Sequence, residues 1–131
     1  MDSNGLPRWN VYDANCPTRL VLDRVADKWT VLIVGRLALG TRRFGELSRD
    51  VSGISPKVLT QKLRELERDG ILTRRVYASV PPKVEYDLTP LGKTLIELVQ
   101  FVQSWAENNI DEILQSQQAY DQRSVEPSSA N

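Results

Sequence analysis

The sequence predicts a mainly α fold with a small β-hairpin (α+β), and three observations carry that expectation. Apolar residues recur at helical spacing through most of the 131 residues. Two neighbouring segments, "ILTRRVYAS" and "KVEYDLT", are instead rich in β-branched and aromatic residues, and Val84, Tyr86 and Leu88 alternate with a strand's period of two. Finally, Ser55-Pro56 and Thr89-Pro90 read as helix openings, and glycines follow where helical patterns stop.

Taken in order, residues 1–15 mix Gly, Pro and Asn with Trp9 and Tyr12 and show no period, so an irregular arm is expected there. Leu20, Val21 and Val25 then predict a helix over about 17–26. Trp29, Leu32, Ile33 and Leu37 predict a second over about 28–39, capped by Asp27 and stopped by Gly40. Phe44, Leu47 and Val51 predict a short third helix entered by Arg42 and Arg43. The fourth, opened by Ser55-Pro56 and closed by Gly70, is the most sharply punctuated. A two-stranded hairpin follows, its connection stiffened by Pro81 and Pro82, which cannot donate ladder hydrogen bonds. Thr89-Pro90 opens a long helix with a heptad-like seam of Leu91, Leu95, Leu98, Val102 and Trp105. Ile110, Ile113 and Leu114 extend it, and beyond about residue 118 a frayed polar tail is expected. The expected organisation is an arm (1–15), a central domain (16–109) and a C-terminal helical extension with its tail (110–131).

Composition narrows the chemistry. With no histidine and a single cysteine, Cys16, the usual metal sites, histidine-based catalysis and an intrachain disulfide are excluded, so neither a cofactor nor an enzymatic activity is expected. No long apolar run or charged leader is present, which predicts a cytoplasmic protein with no membrane partner. The formal net charge of zero conceals segregation: residues 36–83 hold eleven Lys or Arg against five Asp or Glu, whereas residues 89–131 hold two against six. Attraction for a polyanion depends on potential over a Debye length of about 8–10 Å, so the basic middle matters more than the sum.

In the fourth helix, at about 100° per residue, Leu59, Leu63 and Leu66 share one arc, and Lys57, Gln61, Arg64 and Arg68 lie nearly opposite. A short helix, a Ser-Gly turn, a capped amphipathic helix and a hairpin, in that order, make a winged helix-turn-helix. The polar face fits a major groove about 12 Å wide, where Lys57, Gln61 and Arg64 are the expected readers of base edges. Arg42, Arg43, Ser55, Thr60, Arg74, Arg75 and Lys83 are the expected backbone contacts on double-stranded DNA, with Lys83 nearest the wing tip. Any one of these basic side chains is equally well explained as a solvated surface residue; the set converging on one helix and one wing is not. A winged-helix module that binds an acidic protein is the alternative reading.

The runs "CPTRLVLDRVADKWTVLIVGRL", "GISPKVLTQKLRELERDGIL" and "RRVYASVPPKVEYDLTPLGKTL" resemble, in order and spacing, the HxlR-like transcriptional regulators, relatives of the MarR group, over roughly residues 16–108. The resemblance implies a winged-helix DNA-binding fold with N- and C-terminal dimerisation helices, a homodimer, and regulation of a neighbouring operon. It also implies that Cys16, matching a cysteine before the first helix that senses oxidants or electrophiles in several members, is a sensor thiol. From the residues alone, Cys16-Pro17 places the thiol at a helix N-terminus near Arg19, where thiolate is favoured. The Leu91–Trp105 seam has two candidate covers, a second copy or the chain's own first two helices, and a 14.9 kDa chain has little interior for it. The expected whole is a homodimeric repressor reading an inverted-repeat operator, with an oxidant or small-molecule effector acting through Cys16.

Overall fold

The computed structural model describes residues 8–125, which divide between Val99 and Gln100 into two compact units. The first contains α1 (Thr18–Ala26), α2 (Lys28–Leu37), β1 (Arg42–Arg43), α3 (Phe44–Asp50), α4 (Pro56–Arg68), β2 (Leu72–Tyr77), β3 (Lys83–Leu88), α5 (Pro90–Lys93) and the start of α6 (Ile96–Val125). Its core gathers Ile33, Val34 and Leu37 from α2, Leu47 from α3, the three leucines of α4, Leu72 and Tyr86 from the sheet, and Val99 from α6. Burying each such leucine or isoleucine contributes about 1.5–3 kcal/mol, which sets the orientation of every element that carries one. α1 carries none: no residue in it is buried, and Leu20 is 73% exposed.

Several expectations are corrected. The wing is a three-stranded antiparallel sheet of order β1-β3-β2, not a two-stranded hairpin, because Arg42 and Arg43, which lead into α3, also pair with Tyr86 and Glu85. Two residues are too few to show a period, so β1 has no sequence signature. Asp27 occupies the N-cap position of α2 but makes no capping bond; its carboxylate lies 3.0 Å from Lys62 Nζ on α4. The Thr89-Pro90 opening gives only the four-residue α5. The chain turns through Thr94 and Leu95 before α6 begins at Ile96, so the predicted long helix is broken near its start. Just before this break Gly92, having no side chain, lets α5 lie against the Ile71 carbonyl. Within the seam, Leu95 is half-buried against this unit's own core, whereas Leu91 and Leu98 are exposed.

The second unit continues α6 from Gln100. All of its side chains described are exposed or half-buried, among them the exposed Phe101, Val102, Trp105, Ile110 and Leu114. The helix runs to Val125, past the predicted fraying at about 118, and residues 126–131 lie outside those described. Loss of apolar periodicity does not end a helix whose backbone bonds continue, and no glycine or proline intervenes before Pro127. Of the arm, residues 8–15 form turns, with Asp13 N–H donating to Asn10 O and Cys16 N–H to Asp13 O, each at 3.0 Å; residues 1–7 lie outside those described. Among the described residues, no helix is long and apolar enough to cross a membrane.

Candidate nucleic-acid interface

α4 is held at both ends by local chemistry. Ser55 Oγ accepts the Val58 N–H at 3.1 Å, and Pro56 occupies the first turn, where a missing donor costs nothing. At the other end Gly70 adopts φ +77°, and the Gly70 and Ile71 N–H groups donate to Glu67 O and Leu66 O at 3.0 and 2.9 Å. That pair of bonds is a Schellman stop, which needs a left-handed residue and so a glycine. Between the ends, Leu59, Leu63 and Leu66 are buried, which turns Lys57, Gln61 and Arg64 outward. Together with Pro56, Thr60 and Glu65 these three line one shallow recess along the helix. Arg68 is also exposed, further along the helix.

A second cleft joins this helix to the wing, lined by Phe44, Thr60, Leu63, Arg64, Glu67, Arg74 and Tyr86. Strand parity explains its make-up. Arg74 pairs with Tyr86 across β2 and β3, and Arg42 pairs with the same Tyr86 from β1, so all three share the face that packs inward. Arg75 and Arg43 pair with Glu85, and Lys83 with Tyr77, so they belong to the opposite face. The structure therefore brings Arg74 beside Arg64 and Thr60, and it does not bring Arg43, Arg75 or Lys83 there. Lys83 Nζ lies 3.3 Å from Glu85 and 4.9 Å from the centroid of the Tyr77 ring. Arg75 donates to the Tyr77 hydroxyl at 3.4 Å, which raises its already high pKa. Arg42 is half-buried, donating to Thr41 O at 2.9 Å with its Nε 3.8 Å from Asp50. Arg43 and Arg74 remain exposed.

Residues with no mark in the sequence tie α1 to α4. Arg24 Nη1 donates to Glu65 Oε2 at 2.6 Å and its Nε to Asp69 Oδ2 at 2.5 Å, while Lys62 bridges Asp27 at 3.0 Å and Glu65 at 3.7 Å. The bond to Asp69 is the main cause raising the Arg24 pKa. In a helix lacking buried residues, these charge-assisted bonds tether α1 to α4. The spacing of Glu65 and Asp69, one turn apart, is the only sequence signal for it, and the partner lies 41 residues away.

Cys16 is half-buried just before α1. Its Sγ accepts the Thr18 hydroxyl at 3.0 Å and the Asn10 N–H at 3.3 Å. The Thr18 hydroxyl, then the Thr18 backbone N–H, hold the thiol pKa below its ordinary value, against a smaller opposing effect of desolvation. Arg19 has no part in this: its guanidinium donates to Val11 O at 2.8 Å and Tyr12 O at 3.1 Å, pinning the arm instead.

Compared with known proteins, residues 24–114 match the family model described as HxlR-like helix-turn-helix. The chain is 46% identical over 112 residues to the HTH-type transcriptional regulator YtfH of Escherichia coli (strain K12), covering 86% of this chain and 89% of that protein. The solved structure of ytfH from Salmonella typhimurium superposes with a TM-score of 0.79 at 42% identity, over 85% of this chain and 99% of that one. The redox regulator HypR in its oxidized form superposes with a TM-score of 0.67 at 44% identity, over 72% and 97%.

Proposed function

The chain belongs to the HxlR-like helix-turn-helix family, a DNA-binding transcriptional regulator and not an enzyme, and from that premise we propose that it is a cytoplasmic homodimeric repressor that reads an inverted-repeat operator through α4. One observation carries the reading: Lys57, Gln61 and Arg64 stand exposed along a single recess of a helix fixed at both ends, with Arg74 of the wing beside it. In this arrangement Lys57, Gln61 and Arg64 meet base edges in the major groove. Ser55, Thr60, Arg43 and Arg74 meet phosphate oxygens, and Arg42, Arg75 and Lys83 contribute more weakly because protein groups already engage them.

The second copy is supported by apolar side chains that lie open: Leu91 and Leu98 with Leu20 and Val21 in the first unit, and Val102 and Trp105 with Phe101 in the second. Leu95 belongs chiefly to the protomer's own core. Paired recognition helices about one DNA turn, roughly 34–36 Å, apart would read a palindrome.

Cys16 is the proposed sensor. An electrophile would add to its thiolate, or two copies' Cys16 thiols would join as a disulfide, passing two electrons and two protons to an oxidant. Arg24 then gives a displaced α1 a direct hold on α4. The structural neighbour HypR is itself a redox regulator.

Selection of bound sites from random duplexes, followed by titration of the selected duplex at two salt concentrations, tests the DNA reading. A palindromic site and a steep loss of affinity with salt are expected. Binding that is absent or insensitive to salt refutes it and favours an acidic protein partner. Full modification of Cys16 with unchanged operator affinity removes the sensor role alone.

A further inference from the structure

Glu65 stands on the DNA-facing recess of α4, beside Gln61 and Arg64, where a carboxylate would repel phosphate. Its charge is already answered from behind: Arg24 Nη1 lies 2.6 Å and Lys62 Nζ 3.7 Å from Oε2. The other oxygen, Oε1, accepts a hydrogen bond from Gln61 Nε2 at 3.2 Å. A carboxylate has no hydrogen to donate, so only the amino side of the Gln61 amide can face it; the flipped amide would set oxygen against oxygen. Gln61 therefore keeps one amide orientation, with its carbonyl oxygen and second N–H left on the open edge.

An acceptor and a donor side by side complement adenine, which offers N6–H and N7 in the major groove; guanine, with N7 and O6, offers two acceptors. We propose that Glu65, held by Arg24, is a positioning residue that locks the Gln61 amide for adenine and so sets base selectivity at one operator pair. The proposal rests on the base-reading role of Gln61. Arg24 belongs to it because, without that guanidinium, Glu65 would be freer to swing toward water and release the amide.

The test compares the selected operator with a duplex changed from A·T to G·C at the pair that Gln61→Ala relaxes. Glu65→Gln offers Gln61 either a donor or an acceptor, so the amide can flip. Discrimination at that pair should fall roughly three- to tenfold, a good part of what a bidentate contact supplies, while discrimination at other pairs stays put; the melting temperature should fall no further than in Arg24→Ala, because only one of the two Arg24 carboxylate partners loses its charge. The double variant should discriminate no worse than Gln61→Ala alone. In the free protein, Glu65→Gln should shift the side-chain amide resonances of Gln61, and Arg24→Lys, which loses the fork but keeps the charge, should shift them in the same direction.

Retained discrimination in Glu65→Gln, equal losses at every pair, or unmoved Gln61 resonances would each overturn the positioning role. If Gln61→Ala itself relaxes no base pair, base reading by Gln61 is wrong and the proposal falls with it. If Gln61→Ala relaxes one pair and Glu65→Gln does not, only the positioning role is lost.

Discussion

Gly92→Ala sets intrinsic helix propensity against tertiary packing, and the two predict opposite signs. Alanine is favoured over glycine inside a helix by about 1 kcal/mol, so propensity alone predicts a more stable protein. In the structure, a Cβ on Gly92 would stand 2.0 Å from Ile71 O, 3.0 Å from Ile71 C and 3.1 Å from Leu88 Cδ2. The first two are backbone atoms and cannot rotate away. The same carbonyl accepts the Thr89 N–H at 3.0 Å, and the Thr89 hydroxyl donates to the neighbouring Gly70 O at 2.6 Å, bonds that join the foot of the wing to the segment leaving α4. Overpacking costs about 1–3 kcal/mol, and weakening two such bonds adds about 1 kcal/mol each, so the net after the propensity gain is a loss of roughly 2–4 kcal/mol. For a chain of this size that lowers the melting temperature by about 10 °C. Urea unfolding and thermal melts, run at one protein concentration because association also stabilises, read it directly. Gly45→Ala is the control: nothing lies within 4 Å of its added Cβ, and a neutral or slightly stabilised variant is expected. A Gly92→Ala protein as stable as the parent would show that α5 does not depend on contact with Ile71.

Arg24→Ala should cost about 1–3 kcal/mol in denaturant unfolding, between the values for exposed and buried ion pairs, because Arg24, Glu65 and Asp69 side chains are 27%, 24% and 28% exposed; a loss under a few tenths would mean the tether holds nothing. Arg74→Ala should weaken specific and random duplexes alike and reduce the salt slope by about one phosphate contact, whereas Lys83→Ala should do so less; the reverse order would refute the placement of the wing residues. Thr18→Val removes the largest influence lowering the Cys16 pKa, so the thiolate forms at higher pH and alkylation near neutral pH slows; an unchanged pH profile of the alkylation rate would contradict the hydrogen-bond origin of the shift. Trp105→Glu should produce a monomer by sedimentation, and an intact dimer would exclude this part of α6 from the interface.

What the sequence determined by itself is whatever neighbouring residues settle among themselves. Ser55-Pro56 and Gly70 bound α4 because a cap and a Schellman stop are made within a few residues, and the arc of Leu59, Leu63 and Leu66 chose its buried face. The strands of the wing were legible for the same reason, through β-branched composition and a period of two. Tertiary structure decided the rest. A two-residue strand at Arg42–Arg43 exists only because β3 offers it an edge, and the register of β2 on β3, which sets Arg74 against Tyr86 and Arg75 against Glu85, decides which of the two neighbouring arginines faces α4. Between Lys93 and Ile96 the chain breaks a helix that the seam's periodicity continued, next to the point where Gly92 meets Ile71. The link from Arg24 to Glu65, and with it the orientation of Gln61, joins charges 41 residues apart. Local hydrogen bonding and periodicity leave a trace in a short window of residues; a bond between distant segments leaves none until the core has brought them within reach.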